Sequence, residues 1–245
     1  MDNFEKRWKR IQDLLGSEAR GDAPITLSSQ RTLFGIPSHV EEVTAAIAQE
    51  DEARCLALIR NELRQRGIDR RRSLPLEERM KKSRMICKKI AQLPLFSNAQ
   101  CVMMYQARDA EVDLAHLIET AQTAHKRLAF PVCLDETTMQ AVQPSEDGWV
   151  RGRFGIKEPA TSASNIIDPA EIDLVICPGT AFDDACKRIG MGAGYYDRFL
   201  ERCTRAHFLL AAFEAQRVPN IPAASWDTPM DVIVTESTMR KSTSS

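Results

Sequence analysis

Ile172-Asp-Leu-Val-Ile-Cys177 is a short, largely apolar run that ends at Pro178 and Gly179, and it decides the fold class. An apolar run of this length bounded by turn residues is typical of a buried strand. It leads to Arg188-Ile-Gly-Met-Gly-Ala-Gly-Tyr-Tyr-Asp-Arg198, whose glycine-rich part precedes a helical pattern beginning at Tyr195. In an open parallel sheet, ligands bind beyond the carboxyl ends of the strands. The sequence therefore predicts a binding loop after this strand.

Outside this segment, apolar runs alternate with helical patterns. A helix is predicted after Ser73 to about Leu93, with Pro75 in its first turn. Short buried strands separated by helices favour a mostly parallel sheet covered on both faces. The predicted fold class is α/β, a three-layer αβα, doubly wound domain with an N-terminal helical extension. Further strands are predicted at residues 101–105, 128–132, 208–213 and 232–235, and further helices at 114–125 and 195–203.

The first part of the chain has a different character. Phe4, Trp8 and Ile11 recur at helical spacing, and residues 16–37 are rich in Gly, Ser, Thr and Pro, which is typical of a linker. A second helix is predicted to begin at Ser38 and to end at Gly67. We therefore expect residues 1–50 to form a helical extension and linker, and residues 51–245 to form the α/β domain.

Composition and charge restrict the class of protein. The chain has 245 residues, 43% of them hydrophobic, which is enough for one sizeable core. Lys and Arg total 33 against 34 acidic residues, so no excess of positive charge indicates a nucleic-acid partner. The seven cysteines form no C-x-x-C pair and suit free thiols in a reducing compartment, and no apolar run is long enough to span a bilayer. These features predict a cytoplasmic protein without a nucleic-acid or membrane partner. We expect a monomer, and a protein contact, if there is one, through residues 1–36.

The glycine-rich stretch, residues 190–194, has the composition of an anion-binding loop. Glycines at alternate positions let the backbone approach an anion closely, and the helix that begins near Tyr195 directs its positive end toward the same point. The spacing is neither that of a Walker A loop nor that of a Rossmann fingerprint. Glycine-rich turns are common, so this triplet alone is weak evidence for phosphate binding.

The longer string Arg-x-Gly-x-Gly-x-Gly-Tyr-Tyr-Asp-Arg resembles the signature of the 5-formyltetrahydrofolate cyclo-ligases. Other segments are also similar to the patterns of that family. The resemblance begins near Arg60, covers roughly three-quarters of the chain and leaves residues 1–50 unmatched. These segments are Arg60-x-x-Leu63-Arg64, Glu111-Val-Asp113, Gly155-Ile-Lys-Glu158-Pro159, Ala181-Phe-Asp183, Phe213-Glu-Ala-Gln216 and Ile221-Pro222.

The resemblance implies a reaction and a set of residue roles. The reaction is the ATP- and Mg²⁺-dependent conversion of 5-formyltetrahydrofolate to 5,10-methenyltetrahydrofolate, through a phosphorylated formyl intermediate, with release of ADP and phosphate. Catalytic roles fall on Arg188 and Tyr195, and Mg²⁺ would be held by Asp197 and Asp227. ATP would contact Arg60, Arg64, Arg188, Gly190, Gly192, Ala193, Gly194 and Tyr196. The folate would contact Gln106, Glu111, Met191, Gly192 and Tyr195.

Each role has a structural alternative. Asp197 at a helix start is often only a favourable charge on the helix dipole, Asp227 lies in a turn-like segment, and Glu111 would otherwise be a surface carboxylate. The arginines crowded between residues 60 and 72 are more often a solvated helix face than a phosphate site. Two other functional classes also remain open: a non-catalytic folate- or nucleotide-binding relative, and a scaffold that docks through the first 50 residues.

Cys186 is the main departure from the family pattern, which has glycine at this position. Either the turn here avoids positive φ or the loop is reshaped. Because Lys187 and Arg188 follow it directly, we expect a lowered thiol pKa and faster alkylation than at Cys101 or Cys177.

Overall fold

The computed structural model describes residues 52–146 and 148–242, with side chains from residue 56 onward. The Phe4 and Trp8 stripe, the linker and the predicted helix start at Ser38 lie outside the described residues. The division of the chain near residue 50 therefore stays a prediction.

The described helices include those predicted after Ser73, at 114–125 and at 195–203, with shorter limits for the last two. Two 3₁₀ helices, Pro169–Glu171 and Glu214–Gln216, add single turns. The α-helices are α1 (Glu52–Ser73), α2 (Leu76–Ala91), α3 (Pro94–Asn98), α4 (Ala115–Thr123) and α5 (Tyr195–Leu200).

Eight strands form the main sheet in the order β12-β11-β10-β7-β1-β2-β3-β6. The five central strands β11, β10, β7, β1 and β2 run parallel, whereas β12 and β3 pair antiparallel with their neighbours. The sheet strands are β1 (Cys101–Met103), β2 (Arg127–Cys133), β3 (Met139–Val142), β6 (Ile166–Ile167), β7 (Leu174–Cys177), β10 (His207–Ala211), β11 (Val232–Val234) and β12 (Met239–Lys241). Two hairpins lie outside the main sheet: β4 (Trp149–Arg151) with β5 (Lys157–Pro159), and β8 (Ala181–Phe182) with β9 (Arg188–Ile189).

This strand order confirms the predicted doubly wound class. Counted along the chain, the five parallel strands are arranged 2-1-3-4-5. The chain thus passes from β1 to β2 on one side, and then crosses to β7, β10 and β11 on the other side of β1. A crevice opens beyond the carboxyl ends of β1 and β7, because the connections after these strands cover different faces of the sheet. We expect a ligand at this point.

The sheet has an apolar core on each face, as the αβα prediction requires. Consecutive residues of β1 contribute to opposite sides, Val102 to one core cluster and Met103 to the other. Helices α2 and α4 cover the first face, whereas Phe199 of α5 packs on the second. Within the described residues, no helix combines the length and apolar character needed to cross a membrane.

The prediction that Gly67 ends the second helix is wrong, because α1 continues through it to Ser73. A Cβ atom added at Gly67 would lie 1.9 Å from the backbone oxygen of Thr180, the residue before β8. This glycine therefore permits a close helix crossing. It brings α1 onto the β8–β9 hairpin, which leads into the glycine loop.

Sequence analysis did not predict β3, β6, β12 or the two hairpins. Their two to four residues are too few to show a periodicity, and β4 has an exposed pattern throughout. β3, β6 and β12 form the antiparallel margins of the sheet, and the two hairpins form part of the rim of the crevice.

Candidate active site

A cavity of about 870 Å³ opens at the carboxyl ends of the central strands. Tyr105 and Gln106 reach it from the segment after β1, and Pro178 and Gly179 reach it from the segment after β7. The glycine loop, residues 190–194, forms another wall. The cavity therefore occupies the position that the strand order indicates for a ligand.

The glycine loop has the unusual backbone that its sequence predicts. Gly192 and Gly194 have φ angles of 108° and 70°, values that side chains other than hydrogen rarely allow. A Cβ atom at Gly192 would lie 3.4 Å from Cζ of Arg64, and the Nε of Arg64 donates to the backbone oxygen of Gly190 over 2.9 Å. The loop thus lies directly against an arginine of α1.

Two arginines of α1 face the cavity together. Arg60 and Arg64 are one helical turn apart, and both contribute to the cavity wall. Burial, and then the charge of Arg60, lowers the pKa of Arg64. Two neighbouring cations in a recess favour an anionic ligand, which would relieve their repulsion.

Both predicted metal ligands are paired with predicted phosphate ligands. Arg188, whose side chain is only 2% exposed, donates to Asp197 over 2.5 Å. Arg60 donates to the two carboxylate oxygens of Asp227 over 2.7 and 2.6 Å. Among the described residues, no group of three or more His, Cys, Asp or Glu is arranged to hold a metal ion. A metal ion at these two carboxylates would need further ligands from a bound molecule or from water.

Glu111 lies in the cavity wall and is not the surface carboxylate of the alternative reading. Its side chain is 8% exposed, and its Oε2 accepts a hydrogen bond from the backbone N–H of Arg108 over 3.1 Å. Burial raises the pKa of Glu111, whereas Arg71, 3.6 Å away, opposes that shift. The hydrogen bond and the neighbouring arginine therefore hold a buried acceptor at a fixed place in the cavity wall.

The two adjacent tyrosines play different parts. The hydroxyl of Tyr195 donates to the backbone oxygen of Asp135 over 2.5 Å, so its ring remains as the cavity wall. The Tyr196 hydroxyl is buried without a hydrogen-bond partner, and its ring lies 5.7 Å from the guanidinium of Arg188. Because this hydroxyl is not accessible from the cavity, Tyr196 contributes only its ring to the wall.

The structure brings the predicted site residues together with one partial exception. All of the predicted ATP and folate ligands, with Asp197, line the cavity, whereas Asp227 lies behind the wall as the partner of Arg60. Sequence reasoning missed several lining residues, among them Arg108, Phe130, Phe154 and Lys157.

Phe154 is the most prominent of the missed residues. It sits between β4 and β5, and its side chain is 44% exposed. Its ring centroid lies 5.9 Å from that of Tyr195 and 6.0 Å from the guanidinium of Arg108. The available signal in the sequence is its position: Phe154 directly precedes the Gly155-Ile-Lys-Glu-Pro segment, which is similar to a family pattern.

The expectation for Cys186 is wrong in two respects. Its side chain is completely buried in the second core cluster, and burial, followed by the charge of Asp183, raises the pKa of its thiol. The turn does not avoid positive φ, since Cys186 has φ 61°. Lys187 is not available to activate the thiol, because its ammonium donates to Asn220 and Ile221. The thiol lies outside the cavity wall, so it gives no support to a non-catalytic relative.

Alkylation should therefore begin at Cys133 among the cysteines whose side chains are described. Cys133 is the only one of these that is partly exposed, and it lines the cavity, whereas Cys101, Cys177 and Cys186 are buried. Burial raises the pKa of Cys133 to about 11, so its labelling rate should increase about tenfold per pH unit below that value. Mass-spectrometric mapping after iodoacetamide treatment of folded protein checks this order. Faster labelling of Cys186 than Cys133 would contradict it.

Together, these features define a class: a doubly wound α/β protein with an arginine-lined crevice at its switch point and a buried carboxylate beside it. Residues 57–236 match the model of the 5-formyltetrahydrofolate cyclo-ligase family. The chain belongs to this family and is an enzyme of the ligase class.

Several curated relatives and solved structures are similar to the chain. The 5-formyltetrahydrofolate cyclo-ligase of Escherichia coli K12 is 29% identical over 174 residues, which covers 69% of this chain and 95% of the relative. The enzyme of the same name from Mus musculus is 26% identical over 196 residues, covering 73% and 92%. The structure of the 5,10-methenyltetrahydrofolate synthetase of Aquifex aeolicus has a TM-score of 0.68 at 31% identity and covers 76% of this chain and 94% of that one.

Proposed function

We propose that the protein converts 5-formyltetrahydrofolate to 5,10-methenyltetrahydrofolate with consumption of ATP. The observation that carries the proposal is the meeting, in one cavity, of the α1 arginines, the glycine loop and Glu111. The arginines and the loop suit a polyphosphate, and the buried carboxylate suits a ring that presents N–H donors. Membership of the cyclo-ligase family supports the same reaction.

The chemistry requires activation of a poor leaving group. In the proposed reaction the formyl oxygen attacks the γ-phosphorus of ATP, and ADP leaves with the electron pair of the broken P–O bond. N10 then adds to the activated formyl carbon and loses its proton to solvent, and inorganic phosphate leaves as the methenyl ring closes. Each step develops negative charge on phosphoryl oxygens, so positioning and charge neutralisation are the main tasks of the protein.

The proposed roles of the basic residues follow from this charge. Arg60, Arg64 and Arg188 neutralise phosphate oxygens, and the backbone of Gly190, Gly192, Ala193 and Gly194 lies along the nucleotide. Tyr196 would meet the nucleotide through its ring, which lines the cavity against the guanidinium of Arg188. Because Arg188 is held by Asp197 and backed by the Tyr196 ring, its guanidinium needs little reorganisation.

The donor set fits a Mg²⁺ ion that arrives with the nucleotide. Mg²⁺ is commonly bound through one or two carboxylates plus substrate phosphates and waters. Asp197 lines the cavity beside Arg188 and would contact the ion, whereas Asp227, outside the lining and bonded through both oxygens to Arg60, would act through water. When bound, the ion would neutralise phosphate charge. The residues supply the negative charge that retains it, and the arginine pairs orient both carboxylates.

The folate would occupy the other part of the cavity. Glu111 would accept hydrogen bonds from the N–H groups of the pterin, and Gln106, Met191 and Tyr195 would form the surrounding wall. Phe154, which sequence reasoning missed, packs edge-to-face against Tyr195 and extends this aromatic wall at the rim of the cavity.

A single assay tests this proposal. Purified protein is mixed with 5-formyltetrahydrofolate, ATP and Mg²⁺, and methenyltetrahydrofolate is followed by its absorbance while ADP and phosphate are quantified. One ADP and one phosphate per methenyl product, with no product when ATP or Mg²⁺ is omitted, is the expected result. Binding of folate without turnover would identify the protein as the non-catalytic relative.

Phe154→Ala is expected to raise the KM for the folate about tenfold while changing kcat much less. The ring is an exposed aromatic face at the cavity rim, and stacking on such a face contributes about 1 kcal/mol or more beyond area burial. Steady-state kinetics at varied folate concentration measure the change. Trp149→Ala, which removes a partly exposed aromatic of the same hairpin that packs on Phe130 and does not line the cavity, is the matched control. Equal effects of the two variants would assign Phe154 to hairpin stability.

A further inference from the structure

Arg71 is a charged side chain with no exposure to solvent. Its Nε and Nη2 atoms are buried without hydrogen-bond partners, and its Nη1 donates weakly to the backbone oxygen of Gly179 over 3.3 Å. Removing a guanidinium from water is costly unless nearby negative charge compensates for the loss. The position of this arginine therefore requires an explanation that packing alone does not give.

The compensating charges belong to the segment that carries Glu111. Nη1 of Arg71 lies 3.6 Å from Oε1 of Glu111, and Nη2 lies 3.7 Å from Oδ2 of Asp109. Asp109 and Ala110 have φ angles of 45° and 61°, so this segment adopts a strained turn that needs external support. Arg71 supplies that support from α1, at the switch point between β1 and β7.

Spacing along α1 connects this support to the phosphate site. Arg60, Arg64, Gly67 and Arg71 are separated by four, three and four residues, and therefore share one face of the helix. Arg64 contacts the glycine loop, Arg60 contacts Asp227 at the same end of the cavity, and Arg71 contacts the segment with Glu111. One rigid helix thus spans both parts of the cavity.

We propose that Arg71 is a positioning residue that keeps Glu111 ionised and fixed in orientation for the folate. The inference rests on the proposed function for the identity of the ligand. The ionisation of Glu111 can be measured without any ligand. Arg71 itself does not line the cavity, so it acts through Glu111.

The charged and titratable groups around Glu111 set the direction of the effect. Arg71 and the backbone N–H and charge of Arg108 lower the pKa of Glu111, whereas burial and Asp109 raise it. The hydroxyls of Tyr105 and Tyr196 also face it, and burial raises the pKa of both well above that of free tyrosine. They are neutral at physiological pH, so the charge of Arg71, 3.6 Å away, is the largest influence that favours the carboxylate. Its removal should raise the pKa of Glu111, and the carboxylate would then be lost at a higher pH as the pH falls.

The first experiment measures this pKa in ligand-free protein. Carboxyl-¹³C glutamate labelling follows the titration of Glu111 by NMR, and Glu111→Gln assigns its signal. Arg71→Met should move the midpoint to higher pH, and Arg71→Lys should restore it in part. An unchanged midpoint in folded Arg71→Met protein would overturn the proposal, whether or not the protein acts on folate.

The second experiment measures folate binding in a double-mutant cycle. Affinity for 5-formyltetrahydrofolate at neutral pH should fall about tenfold or more in Arg71→Met, since a hydrogen bond to a charged group is lost or weakened. The acid limb of the affinity profile should move to higher pH in the same variant. In a Glu111→Gln background, Arg71→Met should cause little further loss. Additive losses would show that Arg71 acts independently of Glu111.

Controls separate positioning from folding. Arg66→Met alters an arginine of the same helix that pairs with Glu62, and it should leave both the Glu111 midpoint and folate affinity unchanged. Wild-type protein that fails to bind folate contradicts the proposed function alone, because the NMR titration still tests Arg71. If Arg71→Met does not fold, the double variant Arg71→Met/Glu111→Gln should fold better, since it removes both charges. A double variant as unstable as the single one would contradict the pairing.

Discussion

Arg188→Ala is expected to lower kcat by about 10² to 10³, the usual loss when one preorganised donor to developing charge is removed. Arg188 is almost completely buried and fixed by Asp197, so in the proposed reaction its guanidinium would meet the phosphoryl group with little reorganisation. Alanine removes the charge and leaves Asp197 unpaired beside the anionic ligand. Initial rates at saturating ATP, Mg²⁺ and folate measure the loss.

Two comparison variants make this result interpretable. Arg188→Lys keeps the charge but loses the planar fork, and we expect an intermediate rate. Arg205→Ala removes an exposed arginine that pairs with Asp173 away from the cavity, and we expect the wild-type rate. Thermal melting confirms that each protein is folded. Wild-type turnover by folded Arg188→Ala protein would remove Arg188 from the catalytic set.

The fold class and the glycine loop were predictable because their signals are local. A buried strand, a turn and a helix start follow one another within residues 172–198, and the alternate glycines predict the positive φ angles found at Gly192 and Gly194. The predicted anion site therefore needed little tertiary information. The resemblance to the cyclo-ligases added the roles of particular residues.

The pairing of site residues was not predictable, because it depends on contacts across the chain. Arg60 and Asp227 are 167 residues apart, yet they share two hydrogen bonds. Cys186 shows the converse, that neighbours in the sequence need not interact. Its charged neighbours predict an activated thiol, but burial dominates and raises its pKa. Adjacency in sequence says little about which side chains share a dielectric environment.

The arginines that share one face of α1, Arg60, Arg64 and Arg71, were only partly predictable from the sequence. Their spacing was visible in the sequence, but Gly67 interrupts it, and a glycine within a helical pattern is locally a signal for termination. The contact with Thr180 explains why glycine occurs inside this helix, since a helix that crosses a backbone oxygen this closely cannot carry a side chain there. Tertiary packing overrode the local preference.

Gly67→Ala is accordingly expected to lower the free energy of unfolding by about 3 kcal/mol, the upper part of the usual range for overpacking. In an unhindered helix the same change would stabilise by about 1 kcal/mol. Here the added Cβ would meet the backbone oxygen of Thr180 at 1.9 Å. That oxygen cannot move easily, because it accepts a hydrogen bond from Gln216 and its residue is also bonded to Ile189. The melting temperature should fall by about 6 to 12 °C for a domain of this size.

The same substitution should also reduce activity in the molecules that remain folded. Relief of the clash requires α1 to move away from the β8–β9 hairpin, and this movement carries Arg64 away from the glycine loop and Arg60 away from Asp227. We therefore expect the KM for ATP to rise at temperatures well below the melting transition. Gln65→Ala, on the exposed side of the same helix, should change neither quantity appreciably. Gly67→Ala protein that melts at or above the wild-type temperature would show that the helix and Thr180 can separate at little cost, and the glycine would then be incidental to the placement of the arginines.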